Sequence, residues 1–145
     1  MRLYDARGLA VTAPNATALA LFEAALSSLH GHRGDAVARI EHALAAYPQL
    51  LIGHCLRAAA SVLAGGVAPA PALASALAAL DRERDRATER ELRHAAAARA
   101  WLEGDARLAL ERYGELVIDY PRDSLALQVA HALDFRLGNR EMLRD

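Results

Sequence analysis

Cysteine is almost missing from this 145-residue chain. Cys55 stands alone, so no internal disulfide can form and a reducing compartment is the expected setting. Aromatic residues make up only 5%, and no alternating Val/Ile/Thr/aromatic run is bounded by turn residues, so strand signals are nearly absent. An excess of basic charge is missing too. The formal net charge is −1, and a phosphate-tracking surface needs clustered Lys and Arg, so nucleic acid is not expected as a partner. Charges or Gly/Pro interrupt each apolar run before it reaches bilayer length, which argues against a membrane span. The opening "MRLYDARGLAVTAPN" carries no apolar signal-peptide core. A cytoplasmic location is the expectation.

What remains is rich in alanine and leucine within a 54% hydrophobic composition, and both are strong helix formers. The length suits one domain with a real core. We therefore expect a single all-α domain over residues 1–145, with 1–14 as a lead-in. Asn15 caps a first helix that carries Leu19, Phe22, Leu26 and Leu29 at helical spacing. Gly31 to Gly34 breaks it. Asp35 caps a second helix, with Val37, Ile40 and Leu44 on one stripe, that ends near Tyr47-Pro48. A third helix spans about Leu50 to Leu63 and stops at Gly65-Gly66. The stretch "GGVAPAP" reads as a turn into an alanine-rich helix from about Ala72 to Arg86. Thr88-Glu89-Arg90-Glu91 matches a capping box and starts a fresh helix that ends at Gly104. Asp105 caps the next, closed by Pro121. Asp123 or Ser124 caps a last full helix, expected to stop at Gly138, after which "NREMLRD" begins one more.

One pattern occurs twice. Gly104, Ala109, Tyr113, Leu116 and Pro121 match Gly31, Ala36, Ile40, Ala43 and Pro48, each 73 residues earlier. The shared form, glycine, small, large, apolar, proline, resembles the second half of a tetratricopeptide repeat. Two repeats of about 34 residues give about 68, which leaves about five extra residues around the Gly65–Pro71 turn and the charged block. The glycine ends a helix in a conformation that side chains dislike. The small residue lets two backbones approach, the large one fills the space between hairpins, and the proline separates units. The expected architecture is a TPR-like α-solenoid of about three and a half antiparallel hairpins. An ordinary bundle whose Gly and Pro merely mark helix ends is the alternative.

The order of features carries a closer resemblance. "DARGLAVTAPNATALALFEAAL", "IGHCLRAA", "ERELRHAAAARAWLEGD" and "YPRDSLALQVAHALDFRLGNREMLRD" resemble the opening part of the tetratricopeptide repeat protein 38 family over essentially the whole chain. Members of that family are considerably longer all-helical repeat proteins. The resemblance thus implies the N-terminal portion of a longer scaffold or binding protein, and it brings no catalytic residues with it.

In such solenoids the first helix of each hairpin lines the concave surface. With the register taken from Pro48 and Pro121, that face holds Leu21, Ala25, Cys55, Ala59, Val62, His94, Ala98, Trp101, Gln128, Ala132, Phe135 and Arg136. His94, Trp101, Gln128, Phe135 and Arg136 are the candidate partner-binding residues. Trp101 is either a groove anchor or core packed against Phe135. Leu21 and Ala25 stand where a chaperone-tail clamp needs Lys and Asn, so that clamp is missing.

Candidate chemistry is thin. Glu91 and His94 make one i, i+3 carboxylate–imidazole pair where a di-iron bundle needs two. His30-Gly-His32 offers two ligands in a turn, and His54 and His131 sit in apolar helices. Cys55 reads as a buried thiol with His54 poorly placed to deprotonate it. We expect no catalytic residue, no metal and no cofactor. The last helix carries Leu125, Val129 and Ala132 on one side and Ala126, Ala130, Leu133 and Leu137 on another. A helix apolar on two sides expects two neighbours. The expected function is a scaffold for a protein or peptide partner, or for its own later segment. The alternatives are a small-molecule or enzymatic role for a longer protein, and a homodimer through the C-terminal helix.

Overall fold

Helical preference prevails along nearly the whole chain in a computed structural model. It describes residues 2–65 and 70–144, the side chains of 70 and 139–144 excepted. Among the described residues seven α-helices follow one another: α1 (Ala16–His30), α2 (Ala36–Ala46), α3 (Leu51–Ala64), α4 (Ala70–Arg82), α5 (Glu89–Leu102), α6 (Ala106–Asp119) and α7 (Ser124–Arg144). The protein is all-α, with a single short ladder among the described residues. Most of the expected punctuation is in place. Asn15, Thr88 and Asp105 each accept a backbone N–H of the first turn, and Thr88 and Glu91 complete a capping box. Gly65 and Gly104 end α3 and α5 with φ of 69° and 87°. The turn expected after Gly65 lies largely outside the described residues.

Four local expectations are corrected. Asp35 makes no capping bond, because its carboxylate pairs with Arg39 Nε at 2.7 Å. Gly31 keeps an ordinary φ of −82°, and the left-handed residue is His32, at φ 55°. There Arg33 N–H closes back on Ser28 O at 2.9 Å. Gly138 does not end the last helix, which runs through to Arg144. A lone glycine costs about 1 kcal/mol relative to alanine, too little to stop a helix with no proline behind it. The lead-in also folds: β1 (Leu3–Tyr4) pairs antiparallel with β2 (Ala10–Val11), Leu3 opposite Val11. Asp5 shapes the turn by accepting the N–H groups of Arg7 and Leu9, and Gly8 takes φ 83°. Two-residue strands are too short to alternate visibly.

The 73-residue correspondence holds in three dimensions from its small residue onward, but not at the glycine, where Gly31 and Gly104 have φ of −82° and 87°. Ala36, Ile40 and Ala43 are buried, and so are Ala109, Tyr113 and Leu116. Tyr47 and Tyr120, just before the two prolines, share a backbone (φ −134° and −129°, ψ 76° in both) and donate to Ala43 O and Leu116 O. Similar spacing produces the same turn twice.

Consecutive helices pack on one another throughout, yet α3 also touches α1, α5 and α7. Apart from half-buried His54, Arg57 and Leu63 and exposed Ala64, its residues are buried. It is the central helix. Alanines at 58, 59, 60, 97, 98 and 100 allow this, because small side chains let neighbouring backbones come close.

Candidate functional site

Closure around α3 decides which expected partner-binding residues can reach a partner. Of the expected inner face, Ala25, Cys55, Ala59, Val62, His94 and Ala98 are interior. His94 is 1% exposed, so it is corrected from a groove residue to a core residue. Trp101 is half-buried against the core. Phe135 stands 66% exposed, so the two rings do not form a shared core contact. The guanidinium of Arg136 donates to the carbonyls of Val62 and Leu63, which closes the C-terminal end of α3.

Leu21, at the start of the inner face, is half-buried, and the end of that face is open. There α1, α3 and α7 leave a surface groove of about 520 Å³. Leu63, Leu127 and Ala132 supply its apolar wall, and Ser124, Gln128 and His131 its polar side along α7. His30 and His32 close it from the end of α1. The wall is preorganised. Gln128 Nε2 donates to Leu29 O at 3.1 Å, which turns Gln128 Oε1 toward His30 Nδ1, and His30 Nε2 lies 2.9 Å from Ser124 Oγ. These bonds tie the first helix to the last. Sequence spacing marked Gln128 and Ala132, but it could not bring His30 and His32 to the same place, since that requires the closure of α7 against α1.

A second constellation lies inside. Asp123, just ahead of α7, accepts Ala126 N–H on Oδ1 at 2.9 Å. Its Oδ2 meets Arg90 Nη1 at 2.8 Å and His94 Nε2 at 2.7 Å. Arg90 Nη2 reaches Asp5 Oδ2 at 3.7 Å and Ala10 O at 3.3 Å in the lead-in hairpin. Glu91, fully buried, accepts Thr12 N–H at 2.8 Å, the Thr12 hydroxyl at 2.7 Å and Thr88 N–H at 2.9 Å. An imidazole beside a carboxylate is the outline of an acid–base pair. Here both partners are sealed from solvent, at 1% and 2% exposure, and the pair fastens the hairpin, α5 and α7 together. Burial alone would raise the Asp123 carboxyl. The charge and hydrogen bond of His94, the Ala126 amide and Arg90 outweigh that and hold it well below the usual carboxylate range.

Cys55 is fully enclosed, and its Sγ lies 3.6 Å from Glu91 O. Burial, with nearby Glu91, pushes its thiol well above the ordinary value, the opposite of what an activated nucleophile needs. His54 Nε2 bonds Pro48 O at 2.9 Å rather than the thiol. Among the described residues no group of three or more His, Cys, Asp and Glu is placed to hold a metal ion, and no helix is long and apolar enough to cross a membrane. No family profile, curated protein or solved structure matches the chain.

Proposed function

We propose that this chain is a non-catalytic helical binding module. It seats an apolar segment of a protein or peptide partner in the groove between α1, α3 and α7. The observation that carries the reading is the groove itself, an apolar wall with fixed polar groups around it and a volume in the range of ordinary binding sites. Gln128 stands in its wall, Arg136 and Phe135 follow along α7, and Trp101 lies outside it. His94, Asp123, Glu91 and Cys55, the residues best suited to chemistry, are all engaged inside. A TPR-like scaffold of the tetratricopeptide repeat protein 38 kind, acting in the cytoplasm, fits this reading, and a later segment of a longer chain is then one partner the groove suits.

The test is selection of a displayed peptide library on the protein, followed by titration of enriched peptides against Ala132→Trp. The bulky ring fills the groove at a half-buried position. Binding should be lost while the far-UV helix signal stays. Peptides that bind the variant equally well would place recognition elsewhere.

A second reading shares Leu127 with the groove but rests otherwise on exposed residues outside it. Ile118, Leu127 and Phe135 are large apolar side chains at 77%, 49% and 66% exposure on α6 and α7. A homodimer through α7 would cover the last two. Sedimentation across a wide concentration range tests it, and a monomer throughout would remove it.

A further inference from the structure

The groove has chemistry beyond its apolar wall, and the following rests on the proposed peptide-binding reading. His30 and His32 from the end of α1, and His131 from α7, all line it, and no carboxylate does among the described residues. Arg33 is exposed beside His32. The end of α3 contributes Leu63 and carbonyls that Arg136 already occupies. Asp134, exposed and three residues beyond His131, is the carboxylate nearest to it along α7 and does not line the groove. His32 is moreover held in a left-handed conformation uncommon outside glycine, a strain that collects at binding sites. Charging His30 would break nothing there. Ser124 Oγ and Gln128 Oε1 can both accept, so the imidazolium fits the bonds already made.

We propose that the groove selects an acidic amphipathic segment. An apolar side chain sits against Leu63, Leu127 and Ala132, an adjacent Asp or Glu meets the imidazole rim, and capture strengthens as the medium becomes more acidic. Charge complementarity names this partner: a rim of three imidazoles, side chains that can take up a proton and donate from both nitrogens, with no lining carboxylate among the described residues, favours an anionic group beside an apolar one.

The test is one displayed dodecamer library selected on the protein at about pH 5.5 and about pH 7.5, either side of the ordinary histidine range. Asp and Glu should be enriched beside the apolar anchor in the acid selection. A peptide from that pool should bind roughly five- to tenfold more tightly at the lower pH, as two partly exposed ion pairs allow. The double variant His32→Asn, His131→Gln leaves only His30 on the rim, so it should keep its fold and lose most of that pH response, since asparagine tolerates the left-handed backbone. Enriched apolar peptides without acidic neighbours, or a pH response undiminished in the double variant, would overturn the acidic preference and leave the groove standing. No enrichable peptide at either pH would overturn the groove as well.

Discussion

Asp123 divides its two oxygens between two tasks, one capping α7 and the other joining Arg90 and His94. Asp123→Asn keeps the cap but removes the charge, and it leaves Arg90 and His94 facing an amide in the interior. We expect a loss of about 3–5 kcal/mol in urea unfolding, the usual result of breaking a buried ion pair from one side. Acid should act in the same direction. The folded pKa of Asp123 lies below its unfolded value of about 3.9, so its contribution is complete above about pH 4 and is lost as pH falls through the folded value. His54 adds an earlier step. Burial lowers its pKa, partly countered by Pro48 O, so its contribution is present above the unfolded value of about 6.5 and is lost as pH falls. The urea midpoint should therefore decline first below about pH 6.5 and again below about pH 4, whereas a midpoint that rises on acidification would contradict the assignment. Tyr113 offers the opposite kind of test. It is wholly buried, and its hydroxyl finds no partner among the described residues. Tyr113→Phe should be neutral or stabilising by up to about 1 kcal/mol.

At the scale of the element, three turn and packing positions separate backbone cost from side-chain cost. Gly104 sits at φ 87° with open space around a would-be Cβ, so Gly104→Ala should lose about 1 kcal/mol through backbone strain alone. Gly53 has ordinary dihedrals, but an added Cβ would lie 2.9 Å from Leu50 Cδ2 and 3.0 Å from Leu44 Cδ2. Gly53→Ala should overpack the interior by roughly 1–3 kcal/mol. His32→Gly should gain about 1 kcal/mol by releasing the left-handed residue. Thermal unfolding of the three variants distinguishes them. These elements also show what could be read from the chain. Asn15, the Thr88–Glu91 box, Asp105 and the two prolines act through neighbours within a few positions, so their effects were visible locally. The Asp35 cap failed because a partner four residues on, Arg39, competes for the same carboxylate. Gly31 and His32 differ by one place, and only the closing bond from Arg33 to Ser28 decides which of them turns.

The whole molecule is organised by α3, which touches five other helices, and by contacts that link distant parts of the chain. The helical class and the two matching Tyr-Pro turns were readable, since both depend on composition and short spacing. Closure was not. It depends on how near alanine faces approach, and it is what moved His94 inside and left the groove at the α1–α7 junction. Removing residues 2–13 should cost several kcal/mol, on the order of 3–5, because Arg90 and Glu91 would lose hairpin partners while still deeply set. Guanidinium unfolding of the shortened chain measures it, and an unchanged midpoint would show the hairpin to be ornamental.

The link from Thr12 to Glu91 spans 79 residues, and that separation sets an order of events on the ribosome. The hairpin emerges well before its anchor. At an elongation rate of about 5–20 residues per second, it waits roughly 4–16 seconds before its acceptor has been made. During that interval Leu3 and Val11 are apolar strand residues without their final cover, so slow translation lengthens the period in which a nascent chain of this protein is sticky.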